Sequence, residues 1–186
     1  MFHHVKAVLI TLVVLTLGSG LRATDFDLGK SGKLSALVAF GWTAKSRPLA
    51  DTGIELTFTP TNQANAKAVV TVFTPKTPPP PATNAELDRN FTALCRKYVP
   101  ASVERTVTLK HYTLIKGHGA YALFTDSALI GIPPKPGDYK VMAPGFIKLS
   151  ESIQLIVTLY ADSADGPELA AMISTVESFH LTATQP

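Results

Sequence analysis

The chain is poor in the features that most directly announce a function. Among its 186 residues there is one cysteine, Cys95. A lone thiol closes no internal disulfide, so an exported domain of this sequence must be held together by its core. Cys95 falls within an apolar helical pattern and reads as a small half-buried hydrophobe. No Lys/Arg cluster occurs anywhere, so the phosphate-neutralising contacts that dominate nucleic-acid binding have no source. No apolar run reaches the ~20 residues that cross a bilayer as a helix. There is no HxH, HExxH or GxSxG pattern. Lys30-Ser-Gly-Lys33 lacks the upstream glycines of a phosphate loop. The single tryptophan, Trp42, reads as a core anchor at a sheet edge.

What is present begins at the first residue. Met1 to Lys6 carries one lysine, Ala7 to Leu17 is uncharged and apolar, and Gly18 to Ala23 supplies small residues for cleavage. This is the pattern of a secretory signal peptide over residues 1–23, cut near Gly20 to Ala23. It implies a secreted or periplasmic protein with no membrane span after cleavage. No cysteine lies near the cut to carry a lipid. Seventeen basic residues stand against fourteen acidic ones. Losing Lys6 and Arg22 brings the net charge from +3 to about +1, which removes the argument from a basic pI.

Residues 24–36 are mixed and Gly/Ser-containing, and read as a flexible N-terminal segment. Residues 37–183 read as one domain. Ile54, Leu56 and Phe58 alternate with Glu55, Thr57 and Thr59, and Ala68 to Phe73 returns as a β-branched strand, giving an antiparallel hairpin. The prolines of Pro75 to Pro81 end that strand and make a stiff connector. Thr83-Asn-Ala-Glu86 has capping-box spacing. Leu87, Phe91, Leu94, Cys95 and Tyr98 follow at helical intervals, which predicts a helix over 84–98, stopped by Pro100. Thr106 to Lys116 alternates, placing Val107, Leu109, His111, Thr113 and Ile115 on one face. Gly117-His118-Gly119 reads as its turn. Ile153 to Tyr160 is apolar on nearly both faces, as in a central strand covered on each side. Pro167 and the periodic Leu169, Met172, Ile173, Val176 and Phe179 predict a helix over 167–178. Hairpins interleaved with two amphipathic helices predict an α+β domain, an antiparallel sheet with a helix on each face.

The order of these segments resembles the PsbP/Mog1/DcrB-like superfamily. The resemblance rests on Gly41-Trp42, the strands Gly53 to Pro60 and Ala68 to Phe73, the helix with Leu87 to Tyr98, Gly117-His-Gly-Ala-Tyr121, the strand Ile153 to Tyr160, and the closing helix ending Glu177-Ser-Phe179. It covers roughly residues 40–180. It implies an α/β/α sandwich and an exported accessory role, mostly without enzymatic activity. It brings no site residues with it, because the superfamily has no universal catalytic motif.

Three histidines remain beyond the signal segment: His111, His118 and His180. His111 and His118 flank one hairpin turn and Asp126 ends that hairpin. They read either as unrelated histidines or as a two-imidazole, one-carboxylate site. The resulting expectation is an exported non-enzymatic binding or accessory domain, with a protein partner at the envelope and no cofactor. The alternatives are a secreted metal-dependent hydrolase using His111, His118 and Asp126, or a small-ligand carrier with a pocket under helix 84–98.

Overall fold

A computed structural model describes residues 20–49, 53–75, 77, 80, 82–133 and 135–182. The apolar run of the expected signal peptide lies outside the described residues. The chain forms β1 (Leu21–Asp27), β2 (Lys33–Ala39), β3 (Trp42–Leu49), β4 (Gly53–Pro60), β5 (Lys67–Phe73), α1 (Asn84–Cys95), β6 (Leu109–His111), β7 (His118–Ala122), β8 (Phe124–Thr125), β9 (Val141–Lys148), β10 (Gln154–Ala161), α2 (Pro167–Glu177) and β11 (His180–Thr182).

Two antiparallel sheets result. The larger has eight strands, in the order β3-β4-β5-β10-β9-β7-β6, with β8 beside β9. The smaller has the order β1-β2-β11. Alternation along the strands gives the large sheet two distinct faces. Leu56, Phe58, Val70, Val72, Leu155, Val157 and Leu159 are buried on the inner face. That face is covered by β2, through Leu34, Ala36 and Val38, and by α2, through Leu169, Met172 and Val176. Phe58 bridges the layers, with its ring 6.0 Å from Phe26 and 6.2 Å from Phe179.

The expected sheet flanked by two helices is therefore not the fold. The protein is mostly β, and a second sheet shares with α2 the cover of the inner face. α1 lies on the outer face, but only at its β7–β9 end. There Phe91 and Cys95 pack on Ala120, Ala122, Phe124 and Phe146. The second sheet was concealed because residues 24–36, read as a flexible segment, form most of β1, a 3-10 turn and the start of β2. Their charged residues, Asp25 and Asp27 in β1, Lys30 in the turn and Lys33 at the start of β2, interrupt the apolar positions.

The hairpin of β4 and β5 forms as expected, with Phe58 opposite Ala68 and Ile54 opposite Val72. β10 is central in order, between β5 and β9. It is not covered on both sides, however, since Ile156 on its outer face is 49% exposed. α2 matches its expected span to within one residue. α1 ends at Cys95 and continues as a 3-10 segment, Arg96–Ala101, which contains Pro100. Proline has no N–H for either winding, and the 3-10 segment ends one residue after it, at Ala101. Trp42 opens edge strand β3 and packs half-buried against the main core.

A candidate metal centre

The N-terminus of α1 is fixed by the capping box that its sequence encodes. The Glu86 N–H donates to Thr83 Oγ1 at 3.2 Å, and the Thr83 N–H donates to Glu86 Oε2 at 2.8 Å. This reciprocal pair sets the rotation of the helix. Asp88, Phe91 and Cys95 then share one stripe at the i, i+3, i+7 spacing of a single helix face. Phe91 and Cys95 are buried against the sheet. Asp88 is carried toward the same surface.

β6 and β7 bring the two histidines to that carboxylate. His111 is opposite Ala120 in the β6–β7 register, and His118 lies two residues before Ala120. Period-two alternation puts both imidazoles on the outer face as diagonal neighbours. Their ring centroids are 5.4 Å apart, and His118 also leans on Phe146 at 5.8 Å. His118 is thus the first residue of a strand rather than part of the turn, and it pairs with Lys148 of β9.

The three side chains converge. Nε2 of His111 lies 3.0 Å from Asp88 Oδ2, and Nε2 of His118 lies 2.8 Å from Asp88 Oδ1. The ligand atoms all fall within 4.8 Å of one another. The site is graded in depth: the side chain of His118 is 18% exposed, that of Asp88 25%, and that of His111 53%. Burial, the largest single influence, pushes the Asp88 carboxyl upward. Hydrogen bonds from His111 and His118, with the charges of the rings, outweigh it and hold Asp88 below the ordinary carboxylate range. Asp88 is therefore an anion at neutral pH, ready to accept protons or a cation.

This donor set suits a borderline transition-metal ion. Two imidazoles and a carboxylate are ligands of zinc, copper and non-haem iron, whereas calcium and magnesium prefer oxygen alone. A tetrahedral ion with arms of ~2.05 Å spaces its ligands by about 3.3 Å. The two imidazoles stand 3.0 and 2.8 Å from different oxygens of Asp88, and the ligand atoms lie within 4.8 Å of one another, so an ion would have to draw the set together around itself. Three protein ligands would leave further coordination positions open on the His111 side.

Asp126, the expected third member, is placed elsewhere. Its Oδ1 accepts the Ala128 N–H at 2.8 Å and caps the 3-10 turn Ser127–Leu129. His180 lies in β11 with Nδ1 2.9 Å from the Ser178 carbonyl. Cys95 is buried, and burial pushes its thiol up to about 11, with Lys97 opposing weakly, so it is no nucleophile. The sequence reading missed Asp88, which is 23 and 30 residues from its histidine partners. The available signal was a carboxylate at helical spacing from Phe91 and Cys95, on a face that should be apolar.

Of the span 84–98 expected to cover a pocket, the part that forms α1 leaves no space. Phe91 meets Phe146 with ring centroids 5.0 Å apart, and Cys95 is 1% exposed. A cavity does open at the end of that span, at Lys97 and Tyr98. No family model matches the chain, and no curated protein matches it.

Proposed function

We propose that the protein is an exported binding domain whose ligand is a divalent transition-metal ion held by Asp88, His111 and His118. One observation carries this reading: three good ligand atoms from a helix and two strands meet within 4.8 Å. Rigid elements hold all three, so little ordering remains to be done when the ion arrives. The half-exposed His111 leaves the ion accessible from solvent and to a further donor, such as one on an envelope partner. The compartment follows from the signal-peptide pattern. A cut after Gly20 keeps every pair of β1 from Leu21↔Ala39 onward, whereas a cut after Ala23 removes three of them. The mature chain is expected to begin at Leu21, keeping Arg22 and a net charge of about +2 rather than +1, which N-terminal sequencing of the exported protein checks.

The test of the metal reading is calorimetric titration of the purified protein with Zn²⁺, alongside Mg²⁺ as a hard-cation control. Saturable 1:1 zinc binding is expected, weakened at least a hundredfold in His118→Ala and Asp88→Ala, with magnesium bound by neither form. Circular dichroism of the variants separates lost ligation from lost folding. Zinc affinity unchanged in both folded variants refutes the proposal.

A second reading rests on the same half-exposed edge. Metal-bound water at an open position is a hydrolytic nucleophile. A broad ester and phosphate hydrolysis screen of the zinc-loaded protein, with Asp88→Ala as control, tests it. This version of a hydrolase runs on Asp88 and makes no use of Asp126.

A further inference from the structure

A second cluster of side chains lies at the other end of α1 and has no part in the metal centre. The 3-10 segment that continues α1 presents Tyr98. β8 presents Phe124, the loop before β9 presents Tyr139, and Met142 and Tyr160 come from the outer faces of β9 and β10. These residues line an open cleft of about 430 Å³, within the size range of small-molecule sites. The rings stand in two tilted pairs, Tyr98 with Phe124 at 5.4 Å and Tyr139 with Tyr160 at 5.1 Å. Burial, then the neighbouring Tyr98 and Tyr139, push the Tyr160 phenol upward. Tyr98, Tyr139 and Tyr160 all line the same space.

The lining carries charges of both signs. Lys97 and Lys140 supply two cations, and Asp126 and Asp138 supply two anions. Asp126 spends one oxygen on capping Ala128. Lys97 holds its ammonium 4.9 Å from the Tyr98 ring centroid. A purely anionic ligand would face the two aspartates, and a purely cationic one would face the two lysines. A ligand with a flat ring and both an ammonium and a carboxylate satisfies rings, lysines and aspartates together.

We infer that this cavity binds an aromatic zwitterion, of the class of free aromatic amino acids, with its ring among Tyr98, Tyr139 and Tyr160 and its α-ammonium and α-carboxylate, which share one carbon, among Asp126, Asp138, Lys97 and Lys140. Aromatic faces supply stacking area at small entropic cost, and the paired charges fix orientation and reject analogues lacking one end. The site is independent of the metal reading. Asp88 and Tyr98 are ten residues apart along one helical segment, about 15 Å at ~1.5 Å per residue.

The experiment is isothermal titration of the purified protein with four indoles: L-tryptophan (zwitterion), indole-3-acetate (anion), tryptamine (cation) and indole (neutral). L-tryptophan is expected to bind at least threefold more tightly than each of the others. Tyr160→Ala should weaken it at least tenfold. Because Tyr160 is partly buried, Asp138→Ala at an exposed position serves as a second variant. It should bring L-tryptophan down toward indole-3-acetate without lowering the melting temperature. Asp88→Ala should bind L-tryptophan as the unaltered protein does. Absence of L-tryptophan binding, equal affinity for the four ligands, tighter binding of any single-charge or neutral analogue, or affinity unchanged in both Tyr160→Ala and Asp138→Ala would each overturn the assignment.

Discussion

Replacing Tyr112 by phenylalanine should make the protein more stable. Tyr112 follows β6 and points inward, where it is 6% exposed and stacks on Tyr121 with centroids 4.8 Å apart. Gly145 of β9 leaves the space that its hydroxyl occupies, since a Cβ there would lie 2.6 Å from Tyr112 Oη. Yet among the described residues that hydroxyl finds no hydrogen-bond partner. Burial first, then Tyr121 and Glu177, push the phenol well above its ordinary value, so it keeps a proton with nowhere to donate it. An unpaired buried hydroxyl costs ~1–3 kcal/mol. Removing the oxygen leaves a void of roughly 10–15 Å³, which at ~24 cal/mol per Å³ costs about 0.3 kcal/mol. The net gain is about 1–2 kcal/mol. For a chain of this size that raises Tm by roughly 2–8 °C. Urea titration followed by circular dichroism reads the change directly, with an unaltered m-value as evidence that the folded state is otherwise the same. A loss of more than ~0.5 kcal/mol in Tyr112→Phe would show the hydroxyl to be satisfied in the folded protein and would refute the reasoning.

Other substitutions probe the same framework. Gly53→Ala should cost several kcal/mol (~3 or more), because φ is +143° and the new Cβ would sit 1.8 Å from the Val72 carbonyl oxygen; thermal unfolding of the variant checks it. Thr83→Ala removes the side-chain acceptor of the α1 capping box and should lower stability by about 1 kcal/mol, measurable by chemical denaturation. Cys95 should resist a thiol reagent in the folded protein and react once urea unfolds it, since it is 1% exposed and its thiol is pushed up to about 11; rapid labelling without denaturant contradicts this. Glu104 accepts from the Thr125 N–H at 2.8 Å and the Thr125 hydroxyl at 2.7 Å. Burial pushes its carboxyl up, but these bonds outweigh burial and leave it below the ordinary 4.5. A carboxyl depressed by folding adds stability that is complete above 4.5 and lost as pH falls through the lower folded value. Glu104→Gln should therefore flatten the decline in stability below about pH 4.5, as read by urea titrations across that range.

Legibility from the sequence followed how locally each feature is encoded. α1 was readable because Thr83, Glu86 and the run from Leu87 to Cys95 hold its cap and periodicity within a dozen residues. β4 and β5 were readable because Ile54, Leu56 and Phe58 alternate cleanly. β1 and β2 were not, although they form a hairpin as local as that of β4 and β5, because Asp25, Asp27 and Lys33 hide the alternation. The resulting second sheet changed the fold class. The alternation expected over Thr106 to Lys116 holds as a strand only over Leu109–His111, and past it Tyr112 rather than Ile115 is buried. Ile115 is 75% exposed. The histidine pair was visible, but its acid was not. A carboxylate delivered from a helix more than twenty residues upstream leaves no mark near its partners. Asp126 was nearer in sequence and belongs to a different piece of structure.

The smaller sheet sets the order in which the molecule becomes whole. β2 lies between β1 and β11, and Ser35 meets Thr182 across 147 residues of chain. Its middle strand is synthesised early and stays half-paired until nearly everything else has emerged. Leu34, fully buried in the finished protein, is opposite Leu181 and lacks that neighbour until then. Contacts this distant in sequence are slow to form. Among the described residues the last strand completes the sheet begun by the first, so that sheet closes only when the two ends of the domain meet.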